Sequence, residues 1–198
     1  MESRTLDTAV WRFYTPEVSA VASSANARCL ELARAAQAGD EAALDQLLRM
    51  LYAAVRKHVY FVIGGGPLAD DVVQETMIAI HRGLASFHGD ASPRTWALTI
   101  ATRTARRMRA RDAHHVPTDE LDVTVFDADP PAAAEMILLR RALAQLTPKK
   151  REAFILMSLF DLTAEEAGDV LSTFANTAAS RDRHARAELA QYLAEAKK

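Results

Sequence analysis

The sequence has little of what builds disulfide-linked, zinc-binding or membrane-spanning proteins. Its 198 residues contain one cysteine, Cys29. That count excludes an internal disulfide and a zinc site made from several cysteines. No apolar run reaches the roughly 18 residues that a membrane span requires, and residues 1–18 lack the apolar stretch of a signal peptide. We therefore predict a cytoplasmic protein with no membrane insertion.

Glycine and proline are also scarce, with seven of each, and long alternating runs of β-branched residues are missing. Alanine, leucine, arginine and glutamate dominate instead, and these residues favour helices. Apolar residues recur at spacings of three and four between Leu44 and Val62 and between Val73 and Leu84. This spacing is typical of amphipathic helices. The predicted fold class is all-α, with the first strong helix beginning near Asn26.

Positive charge is concentrated in residues 94–111, RTWALTIATRTARRMRAR, which hold six arginines and no acid although the formal net charge of the chain is −2. On a helical wheel one side is polar and basic, and it contains Thr99, Thr102, Arg103, Arg106, Arg107 and Arg109. A uniformly positive face indicates an anionic partner, most commonly nucleic acid. Trp96, at the start of the segment, offers a plane on which an unpaired base can stack. A solvated helix face with no partner is the alternative.

An acidic segment divides the chain. Residues 112–135 contain seven acids, three prolines and neither lysine nor arginine, a composition typical of a linker. We expect an N-terminal extension at 1–25, a helical domain at 26–112, an acidic flexible linker at 113–134 and a second helical domain at 135–198.

The second domain contains a pattern typical of a helix-turn-helix, LTAEEAGDVLSTFANTAASRDRHARAEL, at residues 162–189. Small residues stand where the two helices must cross closely, at Ala167, Gly168 and Ser172. The second helix would enter a DNA major groove by its N-terminal end. Its candidate DNA-contacting residues are Asn176, Thr177, Ser180, Arg181, Arg183 and Arg186. An ordinary helical hairpin is the alternative.

Together these segments resemble the extracytoplasmic-function (ECF) sigma factors of the sigma-70 family. Residues 70–111 are similar to the −10-binding domain of that family through Asp70-Asp71, Gln74-Glu75, Arg82, Phe87, Gly89, Trp96, Ile100-Ala101 and the basic run. Residues 146–186 are similar to its −35-binding helix-turn-helix through Leu146, Pro148, Arg151-Glu152, Leu162-Thr163, Glu165-Glu166, Val170-Leu171, Thr177, Ser180-Arg181 and Arg186.

The resemblance implies an RNA polymerase sigma factor, which directs core polymerase to specific promoters and assists promoter melting. Asp71, Gln74 and Glu75 would dock on the clamp helices of the largest polymerase subunit. A second set would lie near the −10 strand, namely Trp96, Arg103, Arg106 and Arg107. The helix-turn-helix residues would contact the −35 element. The implied partners are core RNA polymerase, promoter DNA and, as in many family members, an anti-sigma factor. No cofactor, metal or catalytic residue is expected, and the chain is not expected to be an enzyme.

The chain also departs from the pattern of the family. Arg103 stands where asparagine is usual, and Ala178 and Ala179 replace an apolar residue and a lysine. Asp182 replaces a leucine that normally packs inward. Because a buried unpaired aspartate is costly, we expect either a rotated or shifted helix or an Asp182–arginine pair. Recognition of the −35 element should be weak or unusual.

Three other interpretations remain open. His114-His115 with Asp119 and Glu120 could suggest a metal enzyme, but adjacent histidines on a linker do not converge and the chain has no HExxH motif. A sigma-like module could bind polymerase or a regulator without reading promoters. A DNA-binding regulator could act independently of polymerase.

Overall fold

A computed structural model describes the backbone of residues 16–112 and 139–195 and the side chains of 25–112 and 139–192. Every regular element within these ranges is a helix, which confirms the all-α prediction. The described residues form two compact units, residues 23–112 and residues 139–195. The first turns of the first helix, before residue 23, lie outside the first unit. Most of the predicted extension and the whole predicted linker lie outside the described residues.

The first unit contains four helices. They are α1 (Pro16–Gln37), α2 (Glu41–Ile63), α3 (Pro67–Gly83) and α4 (Pro93–Arg111), with a 3-10 turn at Leu84–Ser86. Helix α1 begins ten residues earlier than expected, at a proline that suits a first helical turn. Asp40 starts α2 by accepting a hydrogen bond from the Ala43 amide at 2.9 Å. Gly64 and Gly66 end α2 and precede α3 with φ angles of 105° and 96°, which glycine adopts without strain.

The core of this unit lies where α4 packs against both α2 and α3. The predicted apolar stripes supply it, since Leu47, Val55, Val59 and Ile80 are fully buried. Leu98 joins them from α4. Because two helices cover neighbouring sides of α4, its exposed strip is narrower than the helical wheel suggests.

Thr102 shows the effect of this double coverage. The wheel placed it on the polar side with the arginines, and that placement is wrong: Thr102 is fully buried. Its hydroxyl lies 3.0 Å from Nε2 of His58 on α2, which is also fully buried. Burial, assisted by the charge of Arg106, lowers the pKa of His58 to about 3. The imidazole is therefore neutral at physiological pH and ties α2 to α4 by a hydrogen bond.

The second unit contains α5 (139–144), α6 (Pro148–Phe154), α7 (Ala164–Leu171) and α8 (Ala175–Glu195). Helix α6 continues as a π-helical turn at Ile155–Leu159, and α8 packs against both α6 and α7. The Arg151 guanidinium donates to two carbonyls at the C-terminal end of α5 and just beyond it, to Leu143 at 2.8 Å and to Leu146 at 3.1 Å. One side chain thus adds hydrogen bonds to carbonyls at a helix end, where intrahelical donors run out.

Helices α7 and α8 form the predicted helix-turn-helix. Thr163 and Glu166 make a capping box that starts α7. A Cβ added to Gly168 would lie 2.8 Å from the Thr173 carbonyl oxygen, so the turn passes too close for any larger residue. Ser172 takes the left-handed conformation at the end of α7, with φ at 55°. Turn residues of this kind are usually glycine.

Asp182 is buried on α8, with both carboxylate oxygens engaged. Ser158 Oγ donates to Oδ1 at 2.9 Å, and Arg186 Nε donates to Oδ2 at 2.6 Å. The expected pairing with an arginine is confirmed, and a serine of the π-helical turn completes the network. The aspartate therefore replaces an apolar contact with a satisfied polar one.

We predict that Asp182→Ala destabilises the second unit by about 1–3 kcal/mol, because it leaves the buried Ser158 hydroxyl without its acceptor. The double variant Asp182→Leu with Ser158→Ala should recover most of that loss, since it removes both buried polar groups. Hydrogen–deuterium exchange of the α8 amides measures both changes. Equal loss of protection in the two variants would contradict the assigned network.

We predict that acid weakens the first unit through His58. The unfolded chain takes up a proton below about pH 6.5, whereas the folded chain does not until about pH 3. The free energy of unfolding therefore has its full value above pH 6.5. It falls by about 1.4 kcal/mol for each unit by which the pH is lowered within this window. His58→Gln keeps a hydrogen-bonding side chain that does not titrate. Urea unfolding followed by tryptophan fluorescence should show a shallower slope for the variant between pH 6.5 and 5, and identical slopes would refute the prediction.

Candidate nucleic-acid interface

The exposed strip of α4 is positively charged along its C-terminal half. Ser92 caps the helix by accepting from the Thr95 amide at 3.0 Å, and Pro93 fills its first turn. In this half of the helix, the predicted residues Arg103, Arg106 and Arg107 are all exposed. No acid occurs within α4 to pair with them. The helix therefore presents guanidinium groups that attract a polyanion.

Trp96 is half-buried at the start of this strip, and its ring is held in place. It packs against Phe87 with the ring centroids 5.1 Å apart and the planes tilted by 43°. It also lies over Gly83, where an added Cβ would stand 3.1 Å from Cζ2 of the indole. An aromatic surface that is already fixed loses little conformational entropy when a base stacks on it.

Glu75 and Arg107 join two sets of residues that the sequence assigned to different partners. Nη2 of Arg107 on α4 donates to Oε1 of Glu75 on α3 at 2.5 Å, and both side chains are a little under half exposed. The expected polymerase-docking set and the expected −10 set therefore meet at one ion pair. Separation by 32 residues in the chain hid this contact from sequence reasoning.

The outer face of α3 borders a groove that sequence reasoning missed. Asp71 and Gln74 are exposed on α3, and Gln74 lines the groove. The groove, of about 980 Å³, runs between α2 and α3, and its apolar walls include Leu48, Tyr52, Val73, Met77 and Ile78. Tyr52 and Ile78 are each 43% exposed. Ile78 lies four residues after Gln74 and outside the buried apolar stripe of α3. An apolar residue at such a position was the sequence signal that pointed to the groove.

The candidate residues of α8 are divided by the structure. Asn176 and Arg183 are exposed, while Thr177, Ser180 and Arg181 are half-buried. Arg186 is engaged by Asp182, so a phosphate would have to compete with that carboxylate for it. The N-terminal end of α8 keeps a small polar and basic surface.

Other classes of site receive no support from the part of the chain that is described. Within it, no group of three or more His, Cys, Asp and Glu side chains is placed to hold a metal ion. No helix there is long and apolar enough to cross a membrane. The candidate metal residues His114, His115, Asp119 and Glu120 lie outside the described residues.

Comparison with known proteins assigns the two units. The family description "Sigma-70 region 2" matches residues 44–114, and "Sigma-70, region 4" matches residues 136–189. The chain is 32% identical over 165 residues to the ECF RNA polymerase sigma factor SigM of Mycobacterium tuberculosis, covering 82% of this chain and 83% of that protein. It is 32% identical over 178 residues to the RNA polymerase sigma factor NccH of Alcaligenes xylosoxydans xylosoxydans, covering 82% and 92%.

Two solved structures share the fold. One is CnrH in complex with the cytosolic domain of CnrY, with a TM-score of 0.65 and 24% identity over 83% of this chain and 96% of that one. The other is RpoE of Bartonella quintana in complex with the anti-sigma factor NepR, with a TM-score of 0.59 and 22% identity over 76% and 96%. With region 2 and region 4 both matched, and a relative 32% identical over more than four fifths of both chains, the chain belongs to the ECF RNA polymerase sigma factors of the sigma-70 family, and it directs core RNA polymerase to promoter DNA.

Proposed function

We propose that the two units divide the work of promoter recognition. Residues 26–112 bind core polymerase and the −10 strand, residues 113–134 connect the units, and residues 135–198 contact the −35 element. The observation that carries this proposal is the exposed arginine strip of α4 beside the fixed ring of Trp96. The arginine strip can bind phosphates, and the ring of Trp96 can stack on an unpaired base.

At the −10 element, Arg103 and Arg106 neutralise phosphates of the separated strand, and a base stacks against Trp96. Arg107 joins them from its position beside Glu75. Because an extruded base gives up its stacking in the duplex, a preformed aromatic surface offsets part of the cost of opening. These side chains therefore favour the open strand over the closed duplex.

Core polymerase docks on the outer face of α3. Asp71, Gln74 and Glu75 supply polar and acidic groups that complement a basic helical partner. The neighbouring groove with Tyr52 and Ile78 supplies apolar area, which the charged residues alone lack. Aromatic and aliphatic side chains of this kind typically carry much of the binding energy at an interface.

At the −35 element, α8 enters the major groove by its N-terminal end. Asn176, Thr177, Ser180 and Arg181 lie at or near that end, and Arg183 reaches phosphates. Arg186 pairs with Asp182 on the same helix, which makes it less available as a phosphate contact. With one arginine engaged and alanine at 179 in place of the usual lysine, the DNA-reading surface is small, which supports weak or unusual −35 recognition.

We also infer a regulator that competes with polymerase. The two structural neighbours were solved with CnrY and with the anti-sigma factor NepR. A groove with exposed apolar residues is a suitable place for such a partner to block polymerase docking. The chain acts by binding, without a catalytic step of its own, and works in the cytoplasm, where the polymerase and its promoters are.

Arg103→Ala is expected to weaken promoter opening while polymerase binding stays unchanged, because Arg103 lies on α4 and outside the proposed polymerase-docking set of α3. Promoters are first found by run-off transcription from a genomic fragment library with the purified chain and core polymerase. On one of them, the salt dependence of open-complex formation should fall by about one unit in log–log slope for the lost phosphate contact.

Arg34→Ala is the matched control for Arg103→Ala, since Arg34 is an exposed arginine in the last turn of α1. Its salt slope should equal that of the wild type. Equal losses of polymerase affinity and opening with Arg103→Ala would contradict the assigned role, and so would an unchanged salt slope.

Asp71→Asn is expected to slow association with core polymerase several-fold at low salt, because charges at the rim of an interface act mainly on the association rate. Asp90→Asn, an equally exposed acid in the loop before α4, serves as the control and should have no effect. Surface-immobilised core polymerase and a salt series provide the measurement. A matching slowdown in both variants would show that net charge acts, and not the α3 face.

A further inference from the structure

Phe174 occupies the turn of the helix-turn-helix with its side chain in solvent. It is 84% exposed, which is far more than Tyr52, Ile78 or Tyr192, the other exposed large apolar residues of the described ranges. Its carbonyl accepts from the amides of Thr177 at 2.9 Å and Ala178 at 3.0 Å, so Phe174 is the residue from which α8 starts.

Nothing in the local structure requires a phenyl ring at this position. Helix-starting residues are usually Ser, Thr, Asp or Asn, whose side-chain oxygen accepts from the first amides. A phenyl ring has no such oxygen, and an exposed ring adds nothing to the core. The residue is therefore unfavourable for helix capping and contributes no burial to the folded chain.

The position of the ring favours DNA as its partner. Phe174 lies two residues before Asn176 and three before Thr177, at the end of α8 that the proposed function inserts into the major groove. Its neighbours Ser172 and Asn176 are exposed and polar, and Tyr192 lies about 27 Å away along the helix. A protein partner would need a contiguous apolar patch of several hundred Å², whereas a single ring suffices for one methyl group.

We propose that Phe174 reads thymine in the −35 element by packing its ring against the C5-methyl group. This methyl is the apolar group that the major groove presents, and it distinguishes thymine from the other bases. The assignment rests on the proposed −35 role of α8. It adds an apolar specificity contact where alanine at 179, in place of the usual lysine, has reduced the polar ones.

The test removes the methyl group from the DNA. Each thymine of a mapped −35 element is replaced in turn by deoxyuridine, which pairs identically but lacks the C5-methyl. Transcription by the complete holoenzyme is then compared in competition with the parent promoter. One position, or two adjacent positions, should lose about fourfold with the wild-type chain, the value for one buried methyl-sized group. Deoxyuridine outside the element is the DNA control.

Phe174→Ala should be weaker on the parent promoter and should no longer distinguish thymine from deoxyuridine at that position. Phe174→Leu, which keeps an apolar side chain, should retain part of the discrimination. Because the ring is exposed, both variants should unfold at the wild-type temperature, and circular dichroism checks this.

Three results would overturn the proposal. Phe174→Ala could lower transcription while the thymine preference persists, which would place the ring against a protein surface. The wild-type chain could tolerate deoxyuridine at every position. A mapped −35 element that contains no thymine would also overturn the proposal.

Asn176→Ala with Arg181→Ala separates this proposal from the one on which it rests. If that double variant leaves promoter choice unchanged, α8 does not read the −35 element and the proposed function of the second unit fails. If it alters promoter choice while Phe174→Ala does not, only the thymine contact is wrong.

Discussion

Helix α4 must be buried and strongly basic at once, and the first unit is arranged around that requirement. Two helices cover neighbouring sides of α4, and small or uncharged residues such as Ala97, Ala101 and Thr102 fill the contacts. Only the remaining strip is open to solvent, and the arginines stand there. Like charges on one helix repel one another. The packing of the buried sides, including the neutral His58–Thr102 bond, stabilises the helix in spite of this repulsion.

The second unit meets a different constraint, because it keeps a helix-turn-helix with unusual residues at several positions. Ser172 adopts a left-handed turn, and Asp182 is buried where the family usually places leucine. The aspartate is tolerated because Ser158 and Arg186 satisfy both oxygens. The same solution occupies Arg186, which is one of the candidate DNA-contacting residues of α8. Stability and the proposed −35 recognition would thus compete for one guanidinium group in α8.

Local signals were enough to predict the helical class, the apolar stripes and the helix-turn-helix. Spacings of three and four residues identify a buried face directly, and Gly168 marks a close turn. The sequence did not reveal how many neighbours cover a helix, which is why Thr102 was placed in solvent. The groove beside Ile78 and the Glu75–Arg107 pair were missed for a related reason. Both are formed by residues of different helices, and no pattern within one helix reports such contacts.

The Glu75–Arg107 pair also means that the two proposed binding surfaces of the first unit would be thermodynamically linked. One carboxylate and one guanidinium satisfy each other in the free chain. A partner that draws Glu75 away leaves Arg107 with a stronger attraction for phosphate, and DNA that takes Arg107 leaves Glu75 more available in return. Linkage makes the two effects equal. An exposed pair of this kind is worth at most about 1 kcal/mol, so it provides a mild bias toward binding polymerase and promoter together.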